Sequence, residues 1–287
     1  MPPSRNRFGS GANRKPSKRC LVFLHVPKTG GQTIESSLPR NFPKSERIYL
    51  DTLDRPLDEA MNEIPLERRL TARLVWGHLP HGVHLYMPQR CEYFTILREP
   101  IARVVSVYKY IIRTPEHALH DRLLAEAMSL EEYLETGIDE GQTENSQTRQ
   151  LSGRQFDALD RESLETAKRN LEACLVGLTE RFEETFVLLR RTFGLRMPFY
   201  HTTNVSPPYH VSERAVELAR ERNELDLELY GFACDVFAAQ LDCQDRSFGP
   251  EVSAYRALRP LSRAAITGRV LRKLERLHET HSRNGNG

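Results

Sequence analysis

The feature that most constrains the fold is the stretch LVFLHVPKTGGQTIESSL, residues 21–38. It opens with a mainly apolar run that is long enough for a buried strand and rich in residues that strands favour. Pro27 ends this strand, because proline cannot donate a hydrogen bond to a sheet ladder. A turn with two glycines follows, and residues 34–38 are predicted to form a short helix that ends before Pro39. The sequence therefore predicts a strand, a glycine-containing turn and a helix in direct succession.

A turn of this kind points free backbone N–H groups and the positive end of a helix dipole at one place, which favours an anion. The glycines let a phosphate approach the backbone closely, a lysine adds positive charge, and threonine hydroxyls add donors. The predicted phosphate-binding residues are Lys28, Thr29, Gly30, Gly31, Gln32 and Thr33. The lysine precedes both glycines, unlike the GxxxxGK[ST] loop. An ordinary strand-to-helix turn with a surface lysine is the alternative for this stretch alone.

Length and cysteine content limit the class of protein to which the chain can belong. A chain of 287 residues can bury the core of one large α/β domain. No apolar run approaches the roughly eighteen residues of a membrane span, and no N-terminal apolar segment predicts a secretory signal. The five cysteines are scattered without CxxC pairs, which favours reduced thiols over a disulfide framework or a zinc site. We therefore expect a cytoplasmic protein without a bound metal.

The net charge of +2 is unevenly distributed. Residues 1–19 and residues 256–287 carry +6 each, so the part of the chain between them carries −10. Basic ends on an acidic body could contact anionic lipid, nucleic acid or an acidic partner, but such tails more often only keep a protein soluble. We expect no nucleic-acid partner, and no membrane contact beyond peripheral binding by the tails.

Further strands are predicted at residues 74–76, 91–97 and 174–178, separated by segments with helical spacing of apolar residues. Strands that alternate with helices predict a parallel sheet flanked by helices. Ligands of such sheets bind beyond the carboxyl ends of the strands. The Lys28 turn, His78 and Arg98 all fall at predicted strand ends.

Arg98 is followed eight residues later by Ser106, two turns into the next predicted helix. A chain that leaves a strand and turns into a helix can bring a guanidinium group and a hydroxyl to one phosphate, and arginine is suited to forked recognition of that group. The alternative is that Arg98 pairs with a carboxylate while Ser106 is a small helix-packing residue.

Four segments in this order, HVPKTGGQT, GHLPHGVH, FTILREPIARVVSVYKY and NSQTRQLSG, resemble the carbohydrate sulfotransferase family of the heparan-sulfate 2-O and 6-O type. The resemblance covers residues 21–241. It implies a P-loop-like α/β fold with a central parallel sheet, and 3′-phosphoadenosine 5′-phosphosulfate (PAPS) as donor. Residues 28–33 would bind the 5′-phosphosulfate, and Arg98 with Ser106 the 3′-phosphate. The chain would then comprise a disordered basic tail (1–19), a sulfotransferase domain (20–245) and a basic helical extension (246–287).

The resemblance also implies catalytic roles. Lys28 would stabilise charge on the departing phosphate, and a histidine would accept the proton of the acceptor hydroxyl. His78 is the first choice, because it matches the Gly-His pattern of the 2-O relatives. His84 resembles the histidine of the Gly-Leu-His pattern of the 6-O relatives and is second, and His81 is third. A structural histidine is the alternative for each.

The segment around Gln147, Thr148 and Arg149 matches the family too, which implies contacts with donor or acceptor; helix capping is the alternative. The implied activity is in-line sulfonyl transfer, without a metal, to a hydroxyl of a carbohydrate, glycolipid or small alcohol. Heparan-modifying relatives carry a membrane anchor and act on a polyanion, whereas the acidic body of this chain favours a less charged acceptor. A P-loop-type nucleotide kinase, against which the lysine position argues, and a non-catalytic polyanion-binding protein are the alternative functions.

Overall fold

The computed structural model describes residues 19–197 and 211–264, with side chains described up to residue 257. The predicted tail at residues 1–19, apart from Arg19, lies outside the described residues, and so does the predicted extension beyond residue 264. No helix in the described ranges is long and apolar enough to cross a bilayer.

A five-stranded parallel sheet forms the centre of the fold. Its strands are β1 (Cys20–Leu24), β2 (Arg47–Tyr49), β3 (Leu74–Gly77), β4 (Cys91–Leu97) and β5 (Cys174–Leu178). The order across the sheet is β2-β3-β1-β4-β5, and every neighbouring pair is parallel. The predicted parallel sheet is therefore confirmed, including the strands at residues 91–97 and 174–178.

The strand β2 was absent from the sequence prediction. It has only three residues and lies at the sheet edge, where Tyr49 remains 54% exposed. An edge strand this short leaves no clear alternation of apolar and polar residues, so its sequence has little to distinguish it from a loop.

Helices and turns connect the strands. The helices are α1 (Gly31–Glu35), α2 (Leu57–Asn62), α3 (Leu66–Thr71), α4 (Pro100–Ile111), α5 (His120–Ala125), α6 (Leu130–Thr136), α7 (Glu140–Thr143), α8 (Ser146–Ser152), α9 (Arg161–Glu172), α10 (Phe182–Phe193), α11 (Glu213–Glu221), α12 (Glu224–Asp242) and α13 (Phe248–Ala264).

The helix predicted at residues 34–38 was misplaced. The helix α1 begins at the second glycine of the turn, because Gly30 has a left-handed backbone (φ 84°) that turns the chain directly into it. Pro39 then lies in a separate 3₁₀ turn, Leu38–Asn41, rather than just after the helix.

Two apolar clusters hold the elements in place. The main core surrounds the sheet, and all five residues of β1 are buried in it. Burying a side chain such as Phe23 contributes about 1.5–3 kcal/mol. The second cluster joins α4 to α6 and α11 through residues that include Val104, Leu134 and Leu218.

The helix α13 packs on α10 through Glu251, which pairs with Arg190 and Arg191. The described part of the chain after residue 245 is therefore in contact with the body of the fold.

Candidate active site

The carboxyl ends of three neighbouring strands, β3, β1 and β4, open into one cleft of about 530 Å³. Most of the predicted site residues line it: Lys28, Gly30, Gly31, Gln32, Thr33, His78, Arg98 and Ser106. Another depression, of about 380 Å³, lies beside β2 and α2 and contains none of the predicted site residues. The cleft is therefore the candidate active site.

The loop that contains Lys28, residues 27–33 (the Lys28 loop), enters the cleft soon after β1. Lys28 has a left-handed backbone with φ 69°, a conformation that is uncommon for residues other than glycine. A side chain at position 31 would collide with the ring of His25, since a Cβ there would lie 2.1 Å from the ring carbon Cδ2. Glycine at this position is thus required by the packing behind the loop as well as by any ligand in front of it.

Thr29 differs from its predicted role. Its side chain is fully buried, and its hydroxyl donates a 2.9 Å hydrogen bond to the carbonyl of Val26. The hydroxyl therefore holds the loop closed and does not point into the cleft as a donor for a ligand.

Side chains from outside the loop hold three of its consecutive carbonyl groups. Arg103 donates to the carbonyl of Pro27 (3.4 Å), Arg98 to that of Lys28 (3.0 Å) and Thr179 to that of Thr29 (2.6 Å). Arg103 is completely buried, and burial lowers the pKa of its guanidinium. The conformation of the loop is thus determined by residues 70 to 150 positions away in the sequence.

Positive charge is concentrated where the loop meets α4. Burial, together with the nearby guanidinium groups of Arg113 and Arg98, lowers the pKa of Lys28 to about 8. Because a cation that is surrounded by cations favours losing its proton, Lys28 is charged below pH 8 and increasingly neutral above it. An anionic ligand in the cleft would relieve this repulsion.

The predicted contact residues Gln147, Thr148 and Arg149 do not line the cleft. The side chain of Gln147 bonds to both backbone groups of Arg98, at 3.0 and 2.9 Å. The backbone N–H of Thr148 donates to the buried carboxylate of Asp226 (2.7 Å), and Arg149 donates to the carbonyl of Asp157 (2.8 Å). Among the three, Gln147 supports the site indirectly, since it holds the backbone of Arg98.

The two leading base candidates are in different surroundings. His78 lines the cleft, and its Nδ1 lies 3.2 Å from Oδ2 of Asp51. The hydrogen bond from His78 lowers the pKa of Asp51. His84 is exposed outside the cleft lining, where its Nδ1 lies 2.8 Å from the hydroxyl of Tyr93. The structure thus brings His78, and not His84, to the Lys28 loop.

The sequence prediction missed three further residues at or near His78, namely His25, Glu35 and Asp51. The ring of His25 lies 4.6 Å from that of His78, and its Nδ1 is 2.9 Å from Oε1 of Glu35, at ion-pair distance but outside hydrogen-bond geometry. Burial lowers the pKa of His25. The sequence places His25 within the apolar run of the first strand, and Asp51 follows β2, a strand that the sequence does not predict. The position of His25 at a strand end, three residues before Lys28, is the signal that could have revealed it.

In the described part of the chain, no group of three or more histidine, cysteine, aspartate or glutamate side chains is arranged to hold a metal ion. The cleft instead combines the cations Lys28 and Arg98, the glycine-containing loop and the pair of His78 with Asp51. The acidic residues Asp139, Glu180 and Glu183 also line it. Such a set can bind an anion and accept a proton beside it.

Comparison with known families agrees with this arrangement. A family model described as the sulfotransferase family matches residues 15–233, which is most of the chain. The chain belongs to this sulfotransferase family. The match confirms the resemblance on which the residue assignments rest.

Several curated relatives are heparan-sulfate 6-O-sulfotransferases. The sulfotransferase is 26% identical to heparan-sulfate 6-O-sulfotransferase 1 of Homo sapiens, over 76% of this chain and 65% of that protein. It is 27% identical to heparan-sulfate 6-O-sulfotransferase 3 of Mus musculus, over 76% of this chain and 57% of that protein. The chain therefore spans less than two thirds of these relatives.

Among solved structures, a sulfotransferase from Alicyclobacillus acidocaldarius is similar with 17% identity and a TM-score of 0.34, over 84% of this chain and all of that one.

Proposed function

We propose that this sulfotransferase moves a sulfonyl group from PAPS to a hydroxyl of a carbohydrate acceptor, with His78 as the general base. The observation that carries the proposal is that three separate parts of the sequence, which supply Lys28, His78 and the pair Arg98 and Ser106, line one cleft. Heparan-sulfate 6-O-sulfotransferases among the relatives support a carbohydrate acceptor.

The residues present fit a donor with phosphates at both ends. The ammonium of Lys28 has no ion pair within the described part of the chain, and its pKa is lowered first by burial and then by the guanidinium groups of Arg113 and Arg98. The loop glycines Gly30 and Gly31, with Gln32 and Thr33, would surround the 5′-phosphosulfate. Arg98 and Ser106 would hold the 3′-phosphate, which distinguishes PAPS from ATP.

The reaction forms one bond, breaks one bond and transfers one proton. The acceptor oxygen forms a bond to sulfur while the bond between sulfur and the phosphate oxygen breaks, and the electron pair of that bond stays on the phosphate. Lys28 stabilises the charge that develops there. The proton of the acceptor hydroxyl passes to Nε2 of His78. Asp51 at Nδ1 favours the tautomer in which Nε2 is free to accept it, and then stabilises the imidazolium.

The proposal extends to the type of acceptor and to the compartment. Asp51 lies next to His78 and remains 44% exposed, so a strongly anionic acceptor would meet repulsion close to the base. A neutral or weakly charged sugar or glycolipid fits better. All five cysteines are free thiols, which supports a cytoplasmic location.

Binding of 3′,5′-ADP, the desulfonated donor, tests the proposal. At about a hundred times its dissociation constant it should stabilise the protein by roughly 2.7 kcal/mol in thermal unfolding without magnesium, whereas ATP should do little. Lys28→Met should lose most of this effect. Lys44→Met, a change of an exposed lysine outside the cleft, is the matched control and should keep it.

Two outcomes would contradict the proposal. Stabilisation by ATP with magnesium, but not by 3′,5′-ADP, would favour the nucleotide kinase. Indifference to both nucleotides, with polyanion binding that is lost when residues 1–18 and 265–287 are removed, would favour the polyanion-binding protein. If 3′,5′-ADP binds, transfer of ³⁵S from labelled PAPS to a panel of neutral and acidic sugars identifies the acceptor.

A further inference from the structure

An aromatic side chain in the cleft, Tyr110, contacts Lys28 and has no part in the roles described above. Tyr110 lies in α4, and Nζ of Lys28 is 3.9 Å from the centroid of its ring. A cation at this distance over an aromatic face is attracted by the negative potential of the ring. The contact links α4 directly to the Lys28 loop.

The surroundings of Lys28 make this contact important. The guanidinium groups of Arg113 and Arg98 repel its ammonium, and no carboxylate pairs with it in the described ranges of the chain. Its backbone is held in a left-handed conformation, which restricts where the side chain can go. The ring of Tyr110 is therefore an attractive partner in a place where the neighbouring charges push the ammonium away.

The spacing along α4 gives the contact a second consequence. Ser106 and Tyr110 are four residues apart, so they lie on the same face of the helix, and both line the cleft. Ser106 is the residue assigned to the 3′-phosphate, while Tyr110 contacts the lysine assigned to the 5′-phosphosulfate. The ring of His117 meets that of Tyr110 edge to face, with centroids 5.9 Å apart, and supports its orientation.

We propose that Tyr110 is a positioning residue, whose ring holds the ammonium of Lys28 at the cleft and thereby sets the affinity for the phosphosulfate end of the donor. This inference rests on the proposed function. It assigns the role to the aromatic face rather than to the hydroxyl. One face of α4 then organises both ends of the donor site.

The test compares two substitutions at Tyr110 by calorimetric titration with 3′,5′-ADP. Tyr110→Leu removes the ring and should weaken binding by about 2- to 30-fold. Tyr110→Phe keeps the ring and should bind like the wild type. In a Lys28→Met background, Tyr110→Leu should have no further effect, because its partner is already gone. The inference would be overturned if Tyr110→Leu and Tyr110→Phe weakened binding equally. It would also be overturned if Tyr110→Leu weakened binding by the full amount in the Lys28→Met background.

A measurement without ligand separates this inference from the proposed function. If the wild type does not bind 3′,5′-ADP, the proposed function fails, and the same four proteins are then unfolded in urea. The contact would still be supported if the effects of Tyr110→Leu and Lys28→Met on unfolding were not additive. The expected difference between the double variant and the product of the single effects is about 2- to 30-fold in the unfolding equilibrium constant. Additive effects would refute it. Tyr86→Leu, a change outside the cleft lining, should be additive with Lys28→Met and serves as the control.

Discussion

Three histidines, His78, His81 and His84, follow β3 within seven residues, and they lie in two places with different surroundings. His78 faces the cleft, beside the carboxylate of Asp51. His81 and His84 form a separate cluster with Tyr93, in which the two imidazole rings are 5.2 Å apart and Nδ1 of His84 lies 2.8 Å from the tyrosine hydroxyl. The first group contains a histidine–carboxylate pair near a lysine, whereas the second contains two imidazoles and a phenol.

The difference shows what makes a histidine useful as a base. In the proposed reaction, the carboxylate of Asp51 at Nδ1 would select the tautomer of His78 that leaves Nε2 free to accept the proton of the acceptor hydroxyl. In the Tyr93 cluster, burial together with the neighbouring His84 lowers the pKa of His81 to about 4, because nothing there stabilises its charged form. His81 therefore stays neutral over the physiological pH range and contributes to packing.

The largest expected effect separates the two groups directly. His78→Ala should lower turnover by about 10²–10⁴-fold, the usual scale for loss of a general base. His84→Ala should leave turnover unchanged, because this side chain lies outside the cleft. Radiolabelled sulfonyl transfer measures both, and binding of 3′,5′-ADP should survive in each variant. Full turnover in His78→Ala would show that His78 is not the general base and that its place in the cleft does not distinguish it from His84.

A smaller effect is expected at the carboxylate. Asp51→Asn keeps the shape of the side chain but removes the charge that orients His78, so we expect a loss in turnover of about 10–100-fold, the scale found for carboxylates that orient histidine ligands. Asp54→Asn, a change of an exposed aspartate three residues away and outside the cleft lining, is the matched control. A loss of donor affinity without a loss of turnover would show that Asp51 does not act through His78.

The smallest effect concerns the Tyr93 cluster. Tyr93→Phe removes a hydroxyl that accepts from the backbone N–H of His84 and pairs with its ring, both at 2.8 Å. We expect the free energy of unfolding to fall by about 1–2 kcal/mol, since each hydrogen bond contributes about 0.5–1.5 kcal/mol. Urea denaturation measures this loss, while donor binding should be unaffected. A change in donor affinity would mean that the cluster is coupled to the cleft.

The parts of the site that the sequence could predict are those carried by neighbouring residues. The Lys28 loop follows its strand directly, and Arg98 and Ser106 lie at a spacing set by one strand end and one helix. Each of these features depends on contacts between residues close in sequence, which a pattern of residue types records. The strands at residues 91–97 and 174–178 were predictable for the same reason.

The parts that could not be predicted depend on distant residues. The pairing of His78 with Asp51 requires β2 to lie beside β3, and β2 has too few residues to leave a pattern. The contact between the rings of His25 and His78 requires β1 and β3 to be neighbours in the sheet. In the same way, Gln147 was expected to contact a ligand, but the fold places its amide on the backbone of Arg98 instead.

By itself, the sequence determined the class of fold, the position of the Lys28 loop and the sulfotransferase family. Strand and helix periods and short motifs are local properties of a chain, so a sequence records them directly. Only the tertiary structure placed His78 in the cleft lining and His84 outside it, removed the Thr29 hydroxyl from the cleft and placed Tyr110 against Lys28. These outcomes follow from the order of the strands and from the packing of α4 against the loop. Both are set by the burial of apolar surface over the whole domain, a quantity that no single stretch of residues contains.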